Sequence, residues 1–298
     1  MVLQLKIDAT INILVQRRAA IGDVIMSTGV VRELKRRYGD NANIDVATDC
    51  LEVYRNNPHV RGIIPVQAAD PSKYDVYINL DDAYEKNPDA HYVESYFYRA
   101  FADPTKNMAV ELFPSAEDCS MVDADLTEIG DRFIVVHMRN WHWPAKNIEF
   151  GVWMDVFAHL FAERTDFKVV CVGGSTDHAL EHPLFFDARD RYNSQQIKYL
   201  CDHARCFVGI DSGPFQCAAA SSTHIIGLLT HLDPDCIMPH RKYELGYNST
   251  AIPTEEDCRG CNRDQQRPVR QLICKKGNTP CNANFDIDVI ANAILKQL

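Results

Sequence analysis

The sequence predicts an α/β chain of two Rossmann-like halves facing a cleft, and three observations carry that prediction. Short β-rich runs alternate with helical stretches between residues 11 and 102, and the alternation restarts near Arg132. Strands alternating with helices indicate parallel βαβ units. Between the two sets, residues 103–131 hold Pro104, Pro114 and many acidic residues with no strong apolar period, which puts the domain junction there. The length of 298 residues fits two domains at roughly 150 residues each. The predicted domains are 1–125 and 126–298, with ligands expected at the carboxyl ends of the strands.

Each element has its own reason. INILVQ (11–16) is an apolar run ending at a polar loop, which makes it a strand. Residues 22–38 put Val24, Ile25, Val30, Val31 and Leu34 on or near one helical face. Residues 43–47, 62–66 and 76–80 are further short strands, and 91–102 is an aromatic-rich helix. In the second half FIVVH (133–137) is a strand, 150–164 an amphipathic helix, and 168–174 a strand running into a glycine turn. A helix at 194–203, a strand at 206–210, a helix start at 214–221 and a strand at 223–229 follow. A terminal helix covers 286–298, and no repeat of solenoid length is visible.

Composition excludes several classes. With 46% hydrophobic and 24% charged residues, the chain is neither disordered nor collagen-like. No apolar run approaches the roughly 18–20 residues of a membrane span. Residues 1–15, broken by Asp8, make a poor signal peptide. A net charge of -10 repels phosphate at long range, so bulk charge does not make this a nucleic-acid binder. Eleven cysteines, an odd number, argue against a disulfide framework. Cys171, Cys206 and Cys217 sit where small buried hydrophobes belong. These features predict a cytoplasmic protein.

Four strand-end turns carry groups suited to a phosphorylated ligand. In the first, Gly22 lies where backbone can approach a ligand closely. Asp23 in the first helical turn is either a cap, worth about 0.5–2 kcal/mol, or a general base at the cleft. Arg17 and Arg18 at the strand end either hold phosphate or are solvated. The second turn follows His137 and holds Arg139, Trp141, Trp143 and Lys146. A flexible ammonium there is a diphosphate contact or an ordinary surface lysine. In the third, Asp211, Ser212 and Gly213 precede Pro214 at a helix start, which suits a phosphate or a plain helix cap. The fourth is Gly173, Gly174 and Asp177, the last able to meet a ribose hydroxyl.

In this order the motifs resemble glycosyltransferase family 9, the heptosyltransferases. The resemblance is most specific at 17–35 and 207–220 and thin between about 80 and 130. It rests on the Gly22-Asp23 pair, NPHV (57–60), His137, Lys146, VGG (172–174) and VGIDSGPFQCAAA (208–220). It implies a GT-B fold and inverting transfer of heptose or a similar sugar from a nucleotide-diphosphate donor, with no catalytic metal or other cofactor. Residue by residue, Asp23 matches the base, Lys146 the lysine on the donor phosphates, and Asp211, Ser212 and Gly213 the donor-binding turn. Arg139, Gly173, Gly174 and Asp177 are assigned to the donor side, and Arg17, Arg18 and Gly22 to the acceptor or phosphate side. Three departures bear on donor sugar and acceptor. Gln216 stands where the family often has His, Met138-Arg139 replaces Pro-Gly after His137, and Ile148-Glu149 replaces a common Trp-Pro.

The expected acceptor is a bacterial surface saccharide or glycolipid, such as lipopolysaccharide core, met by peripheral contact with the inner membrane. One alternative is the same transfer onto another polymer, such as hydroxylated DNA bases, although the net charge argues against a nucleic acid. Another is a non-catalytic nucleotide-sugar binder on the same fold, against which the presence of both Asp23 and Lys146 argues. The loop 256–282 holds Cys258, Cys261, Cys274 and Cys281, spaced C-x2-C-x12-C-x6-C. These are either four thiolates of a structural zinc site or a loop that is reduced or partly oxidised. Arg259, Arg263, Arg267, Arg270, Lys275 and Lys276 make the loop a basic island, either solvated or facing a phosphorylated lipid, a glycan or a nucleic acid.

Overall fold

The alternating runs resolve into two parallel sheets in the computed structural model, which describes residues 10–87, 89–102, 107–139, 143–261 and 274–298. The first sheet holds β1 (Ile11–Gln16), β2 (Ala42–Ala47), β3 (Gly62–Ile64) and β4 (Val76–Asn79), in the order β3-β2-β1-β4. Helices α1 (Ile21–Met26), α2 (Thr28–Tyr38) and α3 (Tyr92–Phe101) accompany it. The single helix expected over 22–38 is therefore two. Ser27 Oγ donates to the Val24 carbonyl at 2.7 Å and lies 2.8 Å from the Tyr54 hydroxyl, and Thr28 Oγ1 donates to the Ile25 carbonyl at 2.7 Å. Side-chain bonds to carbonyls three residues back compete with the helical ladder and interrupt it.

Helix α4 (Ala116–Ile129) occupies the stretch that lacked an apolar period. It begins at a reciprocal cap: Asp118 N donates to Ser115 Oγ at 3.1 Å, and Ser115 N donates to Asp118 Oδ2 at 3.0 Å. Of its apolar residues only Val122 and Ile129 are buried, which is why its period is faint. Asp125 in this helix pairs with Arg191 and accepts from the Tyr192 hydroxyl, binding α4 to the second half.

The second sheet holds β5 (Phe133–His137), β6 (Lys168–Gly173), β7 (Phe185–Arg189), β8 (Cys206–Gly209) and β9 (His224–Leu229). An antiparallel ribbon, β10 (His240–Arg241) and β11 (Glu244–Leu245), precedes β12 (Ser249–Pro253). The sheet order is β12-β9-β8-β5-β6-β7, all parallel. Its helices are α5 (Phe150–Glu163), α6 (Ser194–His203), α7 (Gly213–Ala219), α8 (Pro234–Ile237) and α9 (Ile287–Leu295). Strand β5 is buried on both faces, so it reads as a continuous apolar run. The unpredicted strands β7 and β12 are the sheet edges. One turns Asp187 outward and the other ends in Pro253, features that edges tolerate and centres do not.

One core cluster, including Trp153, Phe157 and Ile290, packs α5 and α9 on one face of the second sheet. The other runs unbroken from Val15 and Ile44 in the first sheet to Val135 in the second and Phe215 in α7. The two halves thus share a core, and α1 meets α7 at their junction. No described helix is long and apolar enough to cross a membrane.

Candidate active site

Strand β1 ends at Gln16 and delivers Arg17 beneath the junction and Asp23 to its wall. Arg17 Nη2 donates to Asp23 Oδ2 at 2.6 Å, and the same nitrogen lies 3.4 Å from Glu85 Oε1. Its Nη1 is 3.6 Å from Asp81 Oδ1. Burial works against the guanidinium charge, yet Tyr96, Asp23 and Glu85 around it hold Arg17 above the ordinary arginine pKa. Burial also raises the pKa of Glu85, with Arg17 acting in the opposite sense. Tyr84 donates its hydroxyl to Asp23 Oδ1 at 3.2 Å, and Ala20 N donates to Asp23 Oδ2 at 3.3 Å. Both carboxylate oxygens are therefore oriented, while the side chain stays 16% exposed on the cleft side.

The opposite wall is built from the carboxyl ends of β5, β6 and β8. Lys146 closes a 3-10 turn, Pro144–Lys146, and its ammonium forms an ion pair with Asp211. The same ammonium lies 4.1 Å from the Trp143 ring centroid, a cation–π contact. Gln216 Nε2 donates to Asp211 Oδ1 at 3.5 Å. Ser212 caps α7, its Oγ accepting from Phe215 N at 3.4 Å. Gly213 has no room for a side chain, because a Cβ there would lie 2.7 Å from Ile21 Cγ2 of α1.

At the end of β6, Gly173 has φ +144 and the Asp177 carboxylate packs over it, so only glycine fits. Gly174 N donates to Asp177 Oδ2 at 3.0 Å, and Arg139 donates to the Thr176 carbonyl. Burial raises the Asp177 pKa, partly countered by the Gly174 N–H. Burial lowers His137 to about 4 and, with the Lys146 ammonium nearby, His231 to about 4, so both imidazoles are neutral at pH 7.

The walls enclose a cleft of about 270 Å³. Gly22, Asp23, Arg139, Lys146, Gly174, Asp177, Asp211, Ser212 and Gly213 all line it, drawn from four strand ends of two sheets. Gly173 stands just behind Gly174. Arg17 is buried under Asp23 rather than open to a phosphate. Arg18 is exposed and outside the lining, its N–H donated to Asp81 Oδ1 at 2.8 Å. Trp141 lies outside the described residues. Tyr84 and Tyr92 also line the cleft, although no sequence motif marks them. They follow β4, and the available signal was positional: a parallel strand beside β1 ends on the same side.

In the tail, Arg263, Arg267 and Arg270 lie outside the described residues. Lys276 donates to Glu256 at 2.6 Å and to Asp257 at 2.5 Å, so this member of the basic island is matched by acids. Glu256, Asp257 and Cys258 bring metal-capable atoms within 4.8 Å of one another, but both carboxylates are on that ammonium. No disulfide joins Cys258, Cys261, Cys274 or Cys281. Burial, and then Cys258, Cys261 and Cys274, push the Cys281 thiol up to about 11, but among the described residues the metal-capable atoms within 4.8 Å of one another are those of Glu256, Asp257 and Cys258, not the four sulfurs. Four thiols are a donor set suited to zinc or iron.

No protein-family profile matches the chain, and no curated protein does. Solved structures match along almost all of it. A family 9 glycosyl transferase from Veillonella parvula superposes with a TM-score of 0.73 at 15% identity, covering 97% of each chain. TibC from enterotoxigenic E. coli, described as an iron-containing dodecameric glycosyltransferase, gives 0.74 at 13% identity over 97% of this chain and 78% of its own. E. coli ADP-heptose lps heptosyltransferase II gives 0.66 at 19% identity over 87% and 96%. At these identities the likeness is one of fold: the chain has the GT-B architecture of the family 9 glycosyltransferases.

Proposed function

We propose that the protein is a glycosyltransferase that moves a sugar from a nucleotide-diphosphate donor to a hydroxyl acceptor. The observation that carries this is the single cleft, with Asp23 on one wall and Lys146, Arg139 and the 211–213 turn on the other. Asp23 accepts the proton of the acceptor hydroxyl as that oxygen bonds to the anomeric carbon. The bond from this carbon to the diphosphate oxygen breaks on the opposite face, so the sugar inverts. Lys146 and Arg139 balance the charge that develops on the leaving diphosphate. Arg17 and Tyr84 aim Asp23, and Asp211 holds Lys146 in place.

The solved neighbours make ADP-heptose the first donor to test, and a surface saccharide or glycolipid such as lipopolysaccharide core the first acceptor. In a thermal-shift screen of nucleoside diphosphates and their sugars, a ligand at 100 times its Kd stabilises the fold by about 2.7 kcal/mol. Asp23→Asn should keep that shift while transfer falls by roughly 10²–10⁴. Full transfer by the variant removes Asp23 from the chemistry. No shift with any nucleotide sugar removes the donor assignment.

The tail enters the same proposal as a structural site. Cys258, Cys261, Cys274 and Cys281 would hold a thiophilic ion, zinc or iron, once their sulfurs close to ligating distance, and the ion would supply a structural tie there. Elemental analysis of the purified protein should find about one equivalent per chain, lost in a Cys258→Ser, Cys261→Ser variant. Protein free of both metals after growth in replete medium ends this assignment.

A further inference from the structure

Tyr92 opens α3 and is buried, and its hydroxyl has no hydrogen-bond partner among the described residues. Native chains keep few such groups, because the lost hydration is not recovered. The ring is held firmly. It stacks on Tyr84 with centroids 4.1 Å apart and planes at 18°. Tyr84 in turn donates to Asp23, and His91 Nδ1 accepts from Val93 N at 3.1 Å, capping the helix. The chain thus fixes a phenol in the cleft wall and leaves its polar end unmatched.

Its surroundings narrow the ligand. Burial, and then the charges of Asp211, Asp23 and Glu85, hold the phenol well above the ordinary tyrosine pKa, so it remains a donor at any working pH. A phenol that keeps its proton donates to a ligand oxygen, and a sugar hydroxyl supplies one. In the glycosyl-transfer reading, the group that spans from Asp23 to the Lys146–Asp211 pair is the transferred sugar.

We propose that Tyr92 is a sugar-selecting residue whose hydroxyl hydrogen-bonds a hydroxyl of the donor sugar, contributed by the first half of the chain to a donor otherwise held by the second. The proposal rests on the transferase reading above. A site built to pair a substrate hydroxyl discriminates strongly against ligands that lack it.

Tyr92→Phe removes the oxygen and nothing else. Calorimetric titration with ADP-heptose and with ADP should show the nucleotide-sugar Kd rising about 5–20-fold, with the ADP Kd unchanged. The Tm of the free variant should be equal or higher, since an unpaired polar group is gone. A structural role would lower the Tm and weaken both ligands alike, and that result overturns the proposal, as does an unchanged sugar Kd. Should the variant fold poorly, singly deoxygenated ADP-sugars on the unaltered protein give the reciprocal measurement: one should lose the same factor, and equal affinity for all overturns the assignment. Wild-type protein that binds ADP but no nucleotide sugar overturns Tyr92 selection alone. Binding of neither overturns the transferase reading, and this proposal with it.

Discussion

Arg17 is a phosphate candidate by position and a buried counter-ion by structure. Its side chain is 5% exposed and faces Asp23, Glu85 and Asp81. Removing one partner of a buried pair strands the other charge, at about 3–5 kcal/mol. Arg17→Met is therefore expected to lose about 3 kcal/mol of stability at pH 7, measured by urea unfolding. A loss below about 0.5 kcal/mol would mean that the three acids are solvated. Lys146→Met likewise leaves Asp211 buried without its partner, so it should lower stability, and it should weaken nucleoside diphosphate binding by on the order of tenfold or more, because Asp211 then presents its negative charge to the phosphates. Equal ADP affinity in the two proteins would place the diphosphate elsewhere. Both candidate residues were visible as types at a strand end. Only their distant partners distinguish a supporting arginine from a ligand-facing lysine.

The α1–α7 junction makes the two halves one site. Gly22 and Gly213 stand face to face, but their tolerances differ. A Cβ at Gly213 would come 2.7 Å from Ile21 Cγ2, whereas one at Gly22 would make ordinary contacts at 3.5 Å with Gln216 and Gly213. Gly213→Ala should cost about 1–3 kcal/mol as the helices part, and Gly22→Ala should be near neutral, with both compared by chemical denaturation. The reverse ranking would contradict this packing. The small-residue helix after Asp211 was legible because its composition announces close approach. Helix α4 was not, because only Val122 and Ile129 of its apolar residues are buried, and the Ser115–Asp118 cap and Asp125 pairings that also anchor it leave no apolar period. Strands β7 and β12 were missed because an edge needs little hydrophobic pattern.

Acid should open the molecule as a whole. Burial, with His240 as a smaller cause, lowers His91 to about 3, and burial lowers His240 to about 4. Their rings lie 4.4 Å apart, and His91 Nε2 is 2.8 Å from the Met238 carbonyl, so the pair joins α3 to the segment leading into β10. His137 and His231 add two more neutral rings at about 4. Unfolded histidine titrates near 6.5. Between these values the unfolded chain binds more protons, so the stability is fully present above about pH 6.5 and is lost as pH falls toward 4. The Tm should drop across that window, and calorimetry at pH 5 in buffers of different ionisation enthalpy should show proton uptake on unfolding. A flat Tm from pH 7 to 4.5 would contradict the neutral burial of these rings.

The local periods and turn residues were enough to specify two parallel α/β halves and the strand ends where chemistry gathers. Those signals are properties of neighbouring residues: apolar runs in β1 and β5, glycine and proline at the helix starts, a small-residue run in α7. Tertiary structure alone decided which groups meet. Lys146 and Asp211 are 65 residues apart, and Arg17 and Glu85 are 68 apart. Tyr92 gains its unmatched hydroxyl from a wall assembled by both sheets. Ion pairing and desolvation depend on three-dimensional distance, and no pattern within a single segment encodes it.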